Sequence, residues 1–397
     1  MRRGAWHQLG WNDQKRVIEL LQHQAGVGVI VSPRDLSYPR AQEYVPLYKA
    51  EGASVLLDPQ WHVPGFSNTQ LDDYPTGELR ASVTDLVDIS DAALDDLRGK
   101  LVAENAALGT DAIIAPAIVY AAGRQDIVQL NARLHGTARD AAAELGVPCY
   151  GTAFLGASVT NSQHLVEATL SSITSLNCDG WYFGFEFAAE RIPSSTDAVY
   201  RCLHAALLLA LTGKPVMHAY AGPMGILSFA AGCNAAASGA SQKQWRFCPE
   251  RWEASSSTGG NNSAPARYFS RPLWGTIVFP DETALMPAAL LQQILAASPF
   301  AQLPLPTTWT KTEATKHLAY SICRGIQDVA ANNGFTQCRQ AADAILATAV
   351  GLHSQIAVQQ AIRLKDDAAC YQANWRAALN ILTQNHGDDF EFLEMLQ

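Results

Sequence analysis

The chain has 397 residues, 48% of them hydrophobic, and a formal net charge of −9. That length can bury one large domain or two smaller ones. The negative balance, with no Lys/Arg run to offset it, makes nucleic acid, tRNA included, a poor partner. Eight cysteines, at Cys149, Cys178, Cys202, Cys233, Cys248, Cys323, Cys338 and Cys370, stand without CxxC or CxC spacing. This argues against a structural metal site and for reduced thiols in the cytoplasm. The longest apolar run, Ala205 to Leu211, is too short to span a bilayer, so no membrane association is expected.

Short β-branched or aromatic runs alternate with stretches of helical period, the pattern of βα units around a parallel sheet. Val27–Val31 reads as the first strand, followed by a helix with Ala41, Tyr44, Val45 and Tyr48 on one face. Ser54–Leu57 is the next strand. After a longer excursion, Ser90 and Asp91 cap a helix carrying Leu94, Leu97 and Leu101. Strands follow at Ala112–Ile114, Pro148–Phe154, Trp181–Phe187 and Pro215–Tyr220, with helical periods between them. The small-residue stretch Cys233–Ser238 comes next, and Leu273–Phe279 is available as an eighth strand. The pattern predicts a (β/α)8 TIM-like barrel over residues 1–300. A doubly wound open sheet is the alternative, but Val27-Gly-Val-Ile-Val runs into Ser-Pro-Arg without the Gly-rich turn such sheets use for dinucleotides. Ala254–Pro265 reads as a surface loop. Residues 301–397 read as a C-terminal helical appendage packed on the barrel.

In such barrels chemistry sits where strands end. After Leu57 come Asp58, Pro59, Gln60, Trp61 and His62. Pro59 fixes its own φ and restricts Asp58 to extended backbone, so the carboxylate is held stiffly, as general acid/base work requires. Capping of a turn is the competing role for Asp58. Glu186 lies in an aromatic strand and Glu190 just beyond it; alternation turns one of them toward the barrel mouth, and Arg191 is an available partner. Tyr120 and Arg124 follow a strand and could stack on a planar ligand and bind an anion. His218 reads as an interior histidine or a ligand contact. Asn234 and Ser238, among small residues, permit close approach of a ligand or simply tight packing.

The series of strand ends resembles the tRNA-guanine transglycosylase family. Val55-Leu-Leu-Asp58, with Gly65-Phe66-Ser67 beyond it, is similar to the family's Asp-Ser-Gly-Gly-Phe strand end. Tyr150-Gly-Thr-Ala-Phe154-Leu-Gly156 is similar to its Phe-Gly-Ile-Val-Gln-Gly-Gly segment. Asp179, Gly180, Gly184 and Glu190 match its Asp-Gly-Tyr-Ala-Ile-Gly-Gly-Leu-x-Val-Gly-Glu stretch in register, and Lys214-Pro215, Gly222 and Gly232 follow in order. The resemblance covers roughly residues 54–238. It implies a barrel that binds or acts on guanine or a 7-deazaguanine-type base, with Asp58 as acid/base and Gln60, Tyr120, Phe154, Gly184, Glu186, Glu190, His218, Asn234 and Ser238 about the substrate.

The departures are specific. The family's nucleophilic carboxylate falls at Ala237, the base-reading Asp and Gln are missing, and the Cys-x-Cys-x-x-Cys zinc cluster is absent, so no metal or cofactor is expected. The resemblance therefore implies a divergent member acting away from tRNA, or a catalytically silent subunit or binding module. Family members of this sort occur in DNA-modification and antiviral-defence gene clusters, CBASS among them, which implies a protein partner from the same cluster. The family also implies a homodimer. An unrelated TIM-barrel enzyme for a small carbonyl or phosphate substrate is the remaining expectation.

Overall fold

A computed structural model describes residues 1–63, 69–82, 89–187, 192–252, 266–306, 309–359, 362, 364–365 and 370–395. Eight parallel strands close into a barrel in sequence order. They are β1 (Gly4–Gln8), β2 (Gly28–Val31), β3 (Ser54–Leu57), β4 (Ile113–Ile114), β5 (Cys149–Leu155), β6 (Gly180–Phe185), β7 (Val216–His218) and β8 (Ala235–Ser238). β1 pairs with β8, Trp6 opposite Ala237, and this seam completes the ring. The Gly65-Phe66-Ser67 and Glu190 matches, Arg191, and the whole Ser/Gly/Asn-rich Ala254–Pro265 stretch lie outside the described residues.

Two strand expectations are corrected. The first strand is Gly4–Gln8, ahead of Val27–Val31. Its His7 and Gln8 disguise it as polar, yet both are buried, His7 outward beneath the helical layer and Gln8 at the barrel mouth. The eighth strand is Ala235–Ser238, which has no β-branched residue to announce it. Small residues suit it because the barrel interior opposite carries the Trp6 indole, packed with Ala235 and Ala237 in one buried cluster. Within the segment assigned to that role, β10 (Gly275–Phe279) instead forms an antiparallel hairpin with β9 (Ala266–Ser270) outside the barrel.

Alternation along each strand sorts the cores. Trp6, Ile30, Leu56, Ile114, Tyr150, Phe154, Tyr182 and Met217 fill the interior. Residues of opposite parity, such as Trp181, Phe183 and Val216, pack under the surrounding helices. Gly184 is required on the inner face: a Cβ there would stand 2.6 Å from the Phe154 ring. Helix Lys311–Ala330, opened by a Thr310/Glu313 capping box, lies against β1 and β8 and covers the seam between them. Helices Phe335–Val358 and Tyr371–Asn385 continue the C-terminal layer, the latter packing on Thr196–Ala210. Phe335–Val358 is long and apolar enough to cross a membrane; here Cys338, Ala342, Leu346 and Ala349 bury one of its faces in the helical core.

Candidate active site at the barrel mouth

Asp58 follows β3 directly and its side chain turns toward the barrel axis, with 0% of the residue exposed. Its backbone N–H donates to Val31 O at 3.0 Å, so the strand ladder runs up to it. Oδ2 accepts from the Tyr182 hydroxyl at 3.0 Å and the Tyr220 hydroxyl at 3.1 Å, reaching across to β6 and the end of β7. Oδ1 accepts from Gln60 N at 3.1 Å and lies 3.5 Å from His62 Nε2. Burial, and next the Asp58 charge, push both tyrosine phenols well above their usual range, so they act here as neutral donors.

A polar chain leads away from the carboxylate. Tyr220 also accepts from Gln8 Nε2 and Gln60 Nε2, each at 3.4 Å. Gln60 Nε2 donates to Ser32 Oγ at 2.7 Å, and Ser32 donates to Asp35 Oδ2 at 2.9 Å. Arg34 and Arg251 flank Asp35. Gln60 and Tyr220 both adopt left-handed backbone, with φ of 54° and 53°. A non-glycine residue pays for that conformation, and such costs collect where a fold over-determines a functional geometry.

Aromatic rings close the site from above. The His62 imidazole lies over the Phe154 ring at 4.4 Å with 31° between planes, and meets the edges of Trp252 at 4.8 Å and Phe247 at 5.3 Å. Phe247 and Trp252 come from the segment after β8, and both are buried. Several buried nitrogens here meet no hydrogen-bond partner among the described residues: Arg34 Nε, both ring nitrogens of His62, Arg251 Nη1 and Trp252 Nε1. Buried polar atoms are ordinarily satisfied, so this grouping beside Asp35 and Asp58 marks a place built for something other than packing.

Of the site residues expected from sequence, the mouth brings together Asp58, Gln60, Phe154 and the backbone of Gly184. Tyr120 pairs with Leu155 through the backbone and sends its phenol outward to Asn131. The Glu186 carboxylate accepts from Ala157 N at 2.6 Å, at the start of the short helix after β5. His218 faces the helices, with Nδ1 2.8 Å from Ser228 Oγ, and burial lowers its pKa to about 3. Ser238 shares the outward face with Ala236 and donates to Gly239 O. Asn234 lies at the opposite end of the barrel, accepting from Val216 N and lining, with Arg3 and Asn332, a groove of about 680 Å³. Ala237 points into the barrel.

Sequence reasoning named His62 in the Asp58 loop without giving it a role, and passed over Gln8, Tyr182, Tyr220, Arg34, Asp35 and Arg251. His62 stood four residues from Asp58. Alternation from Gly184 places Tyr182 on the inner face of β6, a signal that was available.

Fold and site together define a (β/α)8 barrel protein with a buried Asp–His pair under aromatic rings at the C-terminal face of the strands. No protein-family model and no curated protein matches the chain. Among solved structures it is similar to a point mutant of an O-GlcNAc hydrolase from Thermobaculum terrenum, at 11% identity over 98% of this chain and 97% of that one, TM-score 0.39. It is also similar to an L-ribulose 3-epimerase, at 14% identity over 60% and 81%, TM-score 0.33. A glycerol uptake operon antiterminator-related protein from Thermotoga maritima matches at 13% identity over 62% and 100%, TM-score 0.32. The barrel assignment rests on the closed strand order itself.

Proposed function

We propose that the barrel mouth binds a purine or 7-deazapurine base, with His62 as the group that hydrogen-bonds or moves a proton on the base edge and Asp58 as the residue that orients it. The carrying observation is the Asp58–His62 pair: a wholly buried carboxylate whose one oxygen is taken up by two tyrosines and whose other faces, at 3.5 Å, an imidazole tilted over Phe154. A carboxylate 3.5 Å from Nε2 favours a proton on that nitrogen, leaving Nδ1 for the ligand. The rings of Phe154, Phe247 and Trp252 supply π-faces for a planar heterocycle. The base takes the volume now filled by a ring of the cover, and Trp252, on the turn Pro249–Trp252, is the ring in contact with His62 from that side.

The ordered resemblance of the strand ends to the transglycosylase family supports a base as the ligand. The alanine at 237 limits the chemistry: an inward methyl cannot attack an anomeric carbon, so the base is held without a glycosyl-enzyme intermediate. The test is tryptophan fluorescence titration with guanine, 7-deazaguanine, hypoxanthine and adenine. Saturable quenching by at least one of them, weakened in His62→Ala and Asp58→Asn, is expected. No saturable binding, or binding indifferent to both substitutions, sinks the reading.

A further inference from the structure

Two guanidiniums stand beside the mouth with more donors than the described residues accept. Arg34 lies three residues beyond β2, and Arg251 in the turn after β8; they flank one carboxylate. Arg34 Nη1 is 3.8 Å from Asp35 Oδ1 and Arg251 Nη2 is 3.5 Å from Asp35 Oδ2. Both distances exceed the roughly 2.7–2.9 Å of a charge-assisted hydrogen bond. Asp35 Oδ2 is already engaged by Ser32. Two positive charges thus share one loosely held negative charge. Burial, and next the Arg251 charge, depress the pKa of Arg34. Arg34 Nε and Arg251 Nη1 are buried and meet no acceptor among the described residues. A surface built for stability alone would pair or expose them, because unpaired buried donors and crowded like charges both cost free energy.

Their position relative to Asp58 is fixed by one ring. The Arg251 guanidinium lies 5.6 Å from the centroid of Tyr220, whose hydroxyl donates to Asp58, and 5.4 Å from that of Trp252. The Tyr220 side chain therefore stands between the Arg251 guanidinium and Asp58.

We propose that Arg34 and Arg251 form a subsite for the phosphate of a nucleotide whose base occupies the aromatic mouth, with Asp35 as the internal counter-ion that keeps the two arginines side by side until the phosphate arrives. The planar forks of two guanidiniums match the oxygens of a phosphate monoester, and the donors that meet no acceptor among the described residues, Arg34 Nε and Arg251 Nη1, are available for it. For the base, this inference rests on the reading above; for the phosphate, it rests on the arginine geometry alone.

The experiment is isothermal titration calorimetry of the full chain with inorganic phosphate, then with guanosine and guanosine 5′-monophosphate. Wild-type protein should bind phosphate saturably and prefer the monophosphate over guanosine by about tenfold or more, the worth of one charge-assisted contact. Arg34→Gln and Arg251→Gln should each remove most of that preference, and Arg251→Lys should restore part of it. Asp35→Asn should tighten phosphate binding, an effect that damaged folding cannot imitate. Absence of phosphate binding, unchanged affinity in both glutamine variants, or weaker binding in Asp35→Asn overturns the subsite. If phosphate binds through the arginines while no base or nucleoside binds, the base reading falls and the phosphate site stands. If guanosine binds through His62 and phosphate adds nothing, the subsite alone falls.

Discussion

Replacing Asp58 by Asn changes one atom of a fully buried group and separates what the carboxylate does for stability from what it does for the ligand. In the wild type, Oδ2 accepts from two phenols and Oδ1 from Gln60 N, with His62 Nε2 beyond. An asparagine that keeps its oxygen between the tyrosines turns its NH2 toward the Gln60 N–H and the imidazole. One backbone donor then loses its acceptor, at about 1–3 kcal/mol. Against this, the variant no longer buries a charge, whose effective penalty is several kcal/mol. The two effects nearly offset, so the variant should fold and unfold within about 2 kcal/mol of wild type in urea. Its affinity for a base should nevertheless fall about ten- to a hundredfold, because His62 loses the carboxylate 3.5 Å away that favours its orientation. Urea unfolding followed by circular dichroism gives the first quantity and fluorescence titration the second. A variant destabilised well beyond 3 kcal/mol that still binds the base like wild type would make Asp58 a packing residue and refute the reasoning.

Other outcomes follow from the same packing and electrostatics. Gly184→Ala should cost about 1–3 kcal/mol by overpacking and weaken base binding, since the new Cβ presses on the Phe154 ring under His62; equal affinity and stability to wild type would show that the ring shifts freely. Trp252→Phe should abolish most of the ligand-induced quenching while leaving the melting temperature within a few degrees, and undiminished quenching would place the ligand elsewhere. Burial raises the Glu104 pKa to about 8, so the native state holds an extra proton between about pH 4.5 and 8 and stability is lost as pH rises through that window. Glu104→Gln should therefore stabilise the protein at pH 8.5, by up to a few kcal/mol, and much less at pH 5; equal effects at both values would refute the assignment. His7 and His317, lowered by burial to about 4, act oppositely: the unfolded chain takes up protons below about pH 6.5 and the native one does not. Stability should fall toward pH 4 at roughly 1.4 kcal/mol per pH unit for each, measured by urea unfolding across the range.

The barrel was legible because alternation of strand and helix survives in a single sequence, and its two misplaced strands show the limit of that signal. β8 is Ala-Ala-Ala-Ser: its burial comes from what packs opposite it, which no local propensity records. β1 hides behind His7 and Gln8, polar residues made burial-compatible by partners more than 200 positions away, Cys323 and Tyr220. In the site, Asp58 and Gln60 were readable because they directly follow a strand and share a loop. Tyr182 and Tyr220 reach the carboxylate across sequence separations of 124 and 162 residues, and Arg251 reaches Asp35 across 216. Glu186 had the right parity for the mouth, yet its carboxylate is drawn to the unsatisfied N–H of Ala157. Strand alternation predicts a direction from the backbone and leaves open what a long side chain finds along the way.

The seam between β1 and β8 gives this chain an awkward order of assembly. The strand synthesised first finds its second neighbour only after residues 235–238 emerge, and the helix that covers both, Lys311–Ala330, arrives later still. On a ribosome, the nascent barrel spends most of its synthesis as an open sheet with two bare edges, the situation in which parallel strands recruit foreign partners. The C-terminal helices are in this respect part of the barrel's closure, and a chain stopped near residue 300 should leave the His7 face uncovered and be prone to self-association.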